Sequence, residues 1–293
     1  MSIYNNKNTF NTFNYLLKGR WHTGYCGPYG QIEMEIDIIN WALKDSKTNT
    51  YVKRILDFGC GNGIVTGDYA ITYPQYLFYG VSNIQRDLDY AHKIASDRKL
   101  NNIMFIHIDK CKLPFDDNYF DCIVFTESLC HIQDKKKLFK EFNRILKQNG
   151  TMCGSEWMTI DPSHEMIHLI NDTYDTYIYT LYQYFELAKL TGFTMNMKKI
   201  CTETKHKYIS YLFMNIFKYF KYLKYQYSLT ELNELNELNE LNKLDKNLLN
   251  GGKYIIKATD MGVFYVCVLY FNKNNQHADH PAILSKYNDF VKH

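Results

Sequence analysis

The stretch Ile55-Leu56-Asp57-Phe58-Gly59-Cys60-Gly61-Asn62-Gly63-Ile64 constrains this chain more than any other. A short apolar strand ends in an acid, glycines follow at alternate positions, and a helix begins beyond them. Glycine permits positive φ and lets backbone approach a ligand closely. The helix N-terminus adds N–H groups that no intrahelical carbonyl takes. The pattern is not the dinucleotide fingerprint, which needs glycine where Ile64 stands. Asp57 also puts a negative charge where a pyrophosphate would sit, so the expected ligand carries a cation there. Ser82, at the end of the next strand, replaces the acid that a dinucleotide site uses on the ribose.

Around this loop the pattern alternates. Strands are expected at Arg54–Phe58, Tyr76–Val81, Met104–Ile108, Asp121–Phe125 and Thr151–Trp157. Helices are expected at Gln31–Leu43, after Gly63, at Asp87–Arg98 and at Lys135–Lys147. Alternation at this spacing implies right-handed crossovers and a doubly wound, mostly parallel α/β sheet. Residues 160–190 read as helical and Tyr-rich, a strand opens at Gly192-Phe193, and Val263–Phe271 reads as a last buried strand. The expected organisation is an N-terminal helical cover over 1–50, an α/β domain over 51–271 with a helical cap at 158–192 and 204–226, and a polar tail over 272–293. The triplet run TELNELNELNELNKLDKN places Leu every three residues, which spirals off any one helix face. It reads as a low-complexity insertion over 228–252.

Composition narrows the function classes. With 46% hydrophobic and 22% charged residues the 293-residue chain is globular, and 34 Lys+Arg against 31 Asp+Glu advertises no nucleic-acid surface. The eight cysteines form no C-x-x-C pair or zinc ladder, so they read as reduced, buried thiols with no metal. The N-terminus has no continuous apolar run, so neither a signal peptide nor a membrane span is expected there, and the expected location is the cytoplasm. The 26 Tyr and 18 Phe are partly what an AT-rich genome produces.

Asp57-x-Gly59-x-Gly61-x-Gly63 resembles motif I of the class I S-adenosylmethionine-dependent methyltransferases. Asp109 to Asp121 resembles that family's D-x-x-x-L-P-F-x-D-x-x-F-D block, and Arg144 to Gly150 its R-V-L-K-P-G-G turn. The resemblance implies a Rossmann-like fold with an antiparallel last strand and S-adenosylmethionine as cofactor. It implies that Asp57 orients the methionine amino group and that backbone from Phe58 through Cys60 to Gly63 borders methionine and ribose. Asp109 and the Lys110 N–H would meet adenine, and Ser82, Asn83, Gln85 and Asp87 share the ribose region, where spacing does not settle which one binds. Thr126 closes the set.

Within the family, Glu127 and the Gly154–Pro162 stretch resemble sterol 24-C-methyltransferases and geranyl diphosphate C-methyltransferases, as does the aromatic Trp21–Tyr25 segment. That implies a hydrophobic small-molecule acceptor, with methylation of a terpenoid or sterol-like alkene carbon through a carbocation as the lead. Such a step needs aromatic faces and a carboxylate near the developing charge. Tyr25, Trp157, Tyr174, Tyr177 and Tyr184 are the candidate faces. Glu127 is the candidate carboxylate and His131 a second catalytic candidate. O- or N-methylation is the alternative, and a non-catalytic scaffold a third reading. The helix at 205–225, with Lys218, Lys221 and Lys224 at i+3 spacing, leaves open a substrate cap, a peripheral membrane contact or a homodimer face.

Overall fold

A computed structural model describes residues 19–22, 30–48, 50–109, 112–201 and 250–273. Tyr25, Lys110, the 205–225 helix, the Glu-Leu-Asn repeat and the polar tail from residue 274 on lie outside the described residues, while Asn272 and Lys273, read as the start of that tail, continue the last strand. The elements run α1 (Gly30–Asp45), β1 (Arg54–Phe58), α2 (Ile64–Thr72), β2 (Leu77–Ser82), α3 (Gln85–Asp97), β3 (Ile103–His107) and β4 (Phe120–Thr126). A 3-10 turn at Leu129–His131 leads to α4 (Lys135–Ile145), β5 (Leu146–Thr159), α5 (Glu165–Tyr174), α6 (Leu181–Leu190), β6 (Phe193–Cys201) and β7 (Phe264–Lys273).

The strands form one seven-stranded sheet in the order β3-β2-β1-β4-β5-β7-β6. The first five pair in parallel, and β7 runs antiparallel between β5 and β6. The order reverses between β1 and β4, and in open α/β sheets the crevice at such a switch point, past the strand C-termini, is where ligands bind. The central strands β1, β2 and β4 are largely apolar because both of their faces are covered. One face packs Met34, Ile38 and Ala42 of α1 with Ile167 and Ile170 of α5 and Ile255 and Ala258 of a helical stretch over 250–260. The other packs Leu138, Phe139 and Phe142 of α4 with Tyr184 and Leu187 of α6.

Most element ends shift by one or two residues from the sequence pattern, and two places differ in kind. The periodicity carries α4 to residue 147, but the helix stops at Ile145 and β5 starts at Leu146. There Lys147 leaves the helical path to pair with buried Asp121 at 2.9 Å, and Asn149 takes a positive φ of 60°. Residues 250–252, read as the end of the low-complexity insertion, are helical, with Gly251 so close to Tyr174 that a Cβ there would lie 2.7 Å from its ring. Cys60, Cys122, Cys130, Cys153 and Cys267 are buried free thiols. Among the described residues no helix is long and apolar enough to cross a membrane.

Candidate functional site

A cavity of about 820 Å³ opens at the switch point. Its floor is the glycine loop. Gly59, Gly61 and Gly63 all hold positive φ, at 75°, 52° and 74°. At Gly59 the requirement is also steric, since a Cβ would lie 2.5 Å from that of Ser128. The Gly59 and Cys60 N–H groups donate to Val81 O at 3.0 Å, tying the loop to β2. Ser128 Oγ donates to Phe58 O at 2.8 Å, tying it to the turn after β4.

Asp57 faces this space from the end of β1, 4% exposed. Thr66 of α2 donates to its Oδ2 at 2.6 Å. Burial pushes its carboxyl up to about 6, and the Thr66 bond partly offsets the rise. The group is therefore largely a carboxylate at neutral pH, in a place where it lacks full solvation and gains most from a cationic ligand.

The structure brings together most of the residues singled out in the sequence and leaves several apart. Phe58, Gly59, Cys60, Gly61, Ser82, Asn83, Asp87, Asp109, Thr126, Glu127, His131 and Tyr177 border the cavity with Asp57. Ser82 Oγ accepts the Ile84 N–H at 3.2 Å. Asp87 is 1% exposed and paired with Arg86 at 2.9 Å, and burial raises its carboxyl. Gln85 is exposed and turned to Asp89 at 2.8 Å, so it does not border the cavity. Gly63 sits behind the wall as the N-cap of α2, where a Cβ would meet Ala91 at 2.5 Å. Trp157, Tyr174 and Tyr184 are core side chains; Trp157 stacks edge-on against Tyr174 and Phe264.

Glu127 and His131 line the cavity from the segment that follows β4. Glu127 is a buried non-glycine residue with φ 49°, a conformation that costs of order 1–3 kcal/mol and concentrates at functional sites. Trp157 Nε1 donates to its Oε2 at 2.7 Å, so the indole meets the cavity through the carboxylate it holds. His131 Nδ1 lies 3.2 Å from the Asp175 carbonyl. A carbonyl only accepts, so Nδ1 carries the proton and Nε2 the lone pair of the neutral ring. Burial pulls the ring's pKa down, which favours that neutral form.

Two fully buried charged residues, Glu156 and Lys135, to which the sequence pattern assigned no site role, brace this part of the wall. Glu156 accepts the Leu129 N–H at 2.7 Å and the Trp157 N–H at 2.8 Å. Lys135 Nζ donates at 2.7 Å to both Ile132 O and Tyr177 O and sits 4.4 Å from the Tyr179 ring centroid. Burial pushes Glu156 up and Lys135 down. The turn at 127–132 and the loop at 175–179 are thereby fixed to each other. Helical periodicity hides such residues, because a Lys beside Lys136 and Lys137 reads as solvated surface.

Residues 56–154 match the family model described as a methyltransferase domain. The fold and this match define a methyltransferase domain on the class I S-adenosylmethionine-dependent plan. The chain is 36% identical over 115 residues to an uncharacterized methyltransferase of Schizosaccharomyces pombe, covering 36% of this chain and 41% of that protein. It is 27% identical over 132 residues to a ubiquinone/menaquinone biosynthesis C-methyltransferase of Vibrio cholerae, covering 43% and 47%. It is 29% identical over 126 residues to a sterol 24-C-methyltransferase of Aspergillus fumigatus, covering 40% and 32%. The chain thus spans less than half the length of these curated relatives. Among solved structures, a Galdieria sulphuraria protein named for sarcosine dimethylglycine methyltransfer superposes with a TM-score of 0.75 at 18% identity, covering 92% of this chain and all of that one. The [4+2]-cyclase SpnF superposes at 0.72 and 17%, covering 90% and 92%. At such identities these two likenesses speak for the fold.

Proposed function

We propose that the chain binds S-adenosylmethionine in the switch-point cavity and methylates a small molecule whose accepting atom is an ionisable oxygen or nitrogen, with His131 as the base. The donor set suits the cofactor: a buried carboxylate for an ammonium at Asp57, a glycine cradle for the sugar end, and Ser82, Asp87 and Asp109 beyond it. Solved neighbours of this fold hold S-adenosylmethionine or S-adenosylhomocysteine. The cofactor supplies an activated methyl group on a sulfonium. The chain has then to orient the acceptor, exclude water and take its proton.

His131 carries the reading. Its Nδ1–H on Asp175 O fixes the tautomer, and burial keeps the ring neutral, the form that accepts a proton. Around it the described wall carries Gln133, Asp134, Lys137 and Asp175 beside Ile132 and Tyr177, so polar groups outnumber apolar ones. That wall suits a protic acceptor better than a carbocation, which needs apolar and aromatic surroundings. Glu127, held by Trp157, orients the acceptor's polar group.

A second reading keeps carbon as the accepting atom. It rests on Glu127, a carboxylate in strained backbone at the mouth of β4, and on the C-methyltransferase names of the quinone and sterol relatives. Incubation with methyl-labelled S-adenosylmethionine and a panel of phenols, quinols, amines, sterols and prenyl diphosphates separates the two. The proposal expects label in protic acceptors and a loss of about 100-fold or more in His131→Ala. Label confined to sterols or prenyl chains, with His131→Ala fully active and Glu127→Gln dead, would establish the carbon reading instead.

A further inference from the structure

We infer that His22, which lines the same cavity as Asp57, receives the carboxylate of the ligand's amino-acid end, so that the two residues together read a zwitterion. The inference rests on the reading of the cavity as an S-adenosylmethionine site. An α-amino acid end presents an ammonium and a carboxylate only a few bonds apart. Asp57 answers the first, and the second needs a donor close to Asp57 and equally shielded from water.

His22 meets that need among the described residues. It borders the cavity and is 5% exposed. It lies near enough to Asp57 to draw that carboxyl's pKa down, against the upward push of burial. Lys112 and Lys137, the lysines on the cavity wall, come from the segment after β3 and from α4. The His22 Nε2 lies 2.7 Å from Glu35 Oε1, a buried carboxylate that also takes Arg20 Nε at 3.3 Å. The Tyr69 hydroxyl holds the Glu35 carbonyl at 3.1 Å. With Nε2–H given to Glu35, Nδ1 is the remaining polar atom, and it is buried without a hydrogen-bond partner among the described residues. Buried polar atoms are nearly always satisfied, so an orphan on a cavity wall points to a ligand. In the doubly protonated ring, Nδ1–H is a charged donor matched to a carboxylate.

The backbone around His22 is built to hold it. Gln31 Nε2 donates to Arg20 O at 3.0 Å and to His22 O at 2.5 Å. Asn62 of the glycine loop donates through Nδ2 to Gly19 O at 3.0 Å. Residues 19–22 are therefore stapled to α1 on one side and to the glycine loop on the other, and ring and loop move as one wall.

Calorimetric titration with S-adenosylhomocysteine and with 5′-methylthioadenosine, which keeps the nucleoside and sulfur but lacks the amino-acid end, tests the inference. His22→Ala should weaken S-adenosylhomocysteine by about tenfold or more and 5′-methylthioadenosine by less than about twofold. Equal weakening of both, or of neither, overturns the role and leaves the cofactor reading standing. A wild-type protein that binds neither nucleoside overturns that reading and the inference with it. Should His22→Ala fail to fold, ring-15N NMR of the wild type decides. The His22 Nδ1 resonance should shift with S-adenosylhomocysteine and stay in place with 5′-methylthioadenosine, and a resonance indifferent to both overturns the role.

Discussion

Two parts of the cavity wall, joined where Ser128 donates to Phe58 O, are held by different physics. The part at β1 and β2 is a backbone site. Its shape comes from three positive-φ glycines and from N–H groups bound to Val81 O, and one buried acid, Asp57, supplies the charge. The part at β4 and the α5–α6 loop is a side-chain site. Glu127, His131, Asp134, Asp175 and Tyr177 come from two segments whose contacting residues, His131 and Asp175, are 44 positions apart, and buried Glu156 and Lys135 join them. A backbone site tolerates change around it and fails at the glycines; a side-chain site fails at its braces.

The largest expected effect is at a brace. Lys135→Met strips the donor from Ile132 O and Tyr177 O and leaves Glu156 buried without its nearby cation. That should cost about 3–5 kcal/mol of stability by denaturant melt, with partial recovery in the Lys135→Met, Glu156→Gln double variant. A change below about 1 kcal/mol would mean that the two walls hold without Lys135.

In the backbone part, Asp57→Asn removes the charge and should weaken S-adenosylhomocysteine by about 10- to 100-fold in calorimetry, with the fold intact. Gly59→Ala combines a φ of 75° with a Cβ 2.5 Å from Ser128, so about 1–3 kcal/mol of stability should be lost. The ligand-binding form of Asp57 is the carboxylate, present above about pH 6. Affinity should therefore be flat near pH 8 and fall about tenfold between pH 7 and pH 5. A profile flat to pH 5 would take Asp57 out of cation binding. The smallest effect is at Gln85, which faces Asp89. Gln85→Ala should leave affinity unchanged, whereas Asp87→Ala, at a buried position on the wall, should lower it.

The same contrast explains what could be read from the sequence. The β1 part is local: strand, acid and glycines lie within ten consecutive residues, and their spacing alone requires the turn. Strand β1 came out at its observed bounds for that reason, and the doubly wound, mostly parallel sheet follows from the alternation of elements. The β4 part is non-local. Nothing in the sequence marks Lys135 as different from Lys136 and Lys137, and burial alone separates them. Trp157 stands out as an aromatic face, yet its ring packs in the core and its Nε1 serves Glu127. His22 was hidden because its partner Glu35 lies 13 residues away, inside a helix whose stripe advertises only apolar residues.

Titration of the wild-type protein with S-adenosylmethionine near pH 7.5 tests the central claim most directly. The account predicts one site per chain with a dissociation constant between about 1 μM and 1 mM, the usual range for enzyme ligands, and a loss of about tenfold or more in Asp57→Asn. No saturable binding, or a constant that Asp57→Asn leaves unchanged, would contradict it.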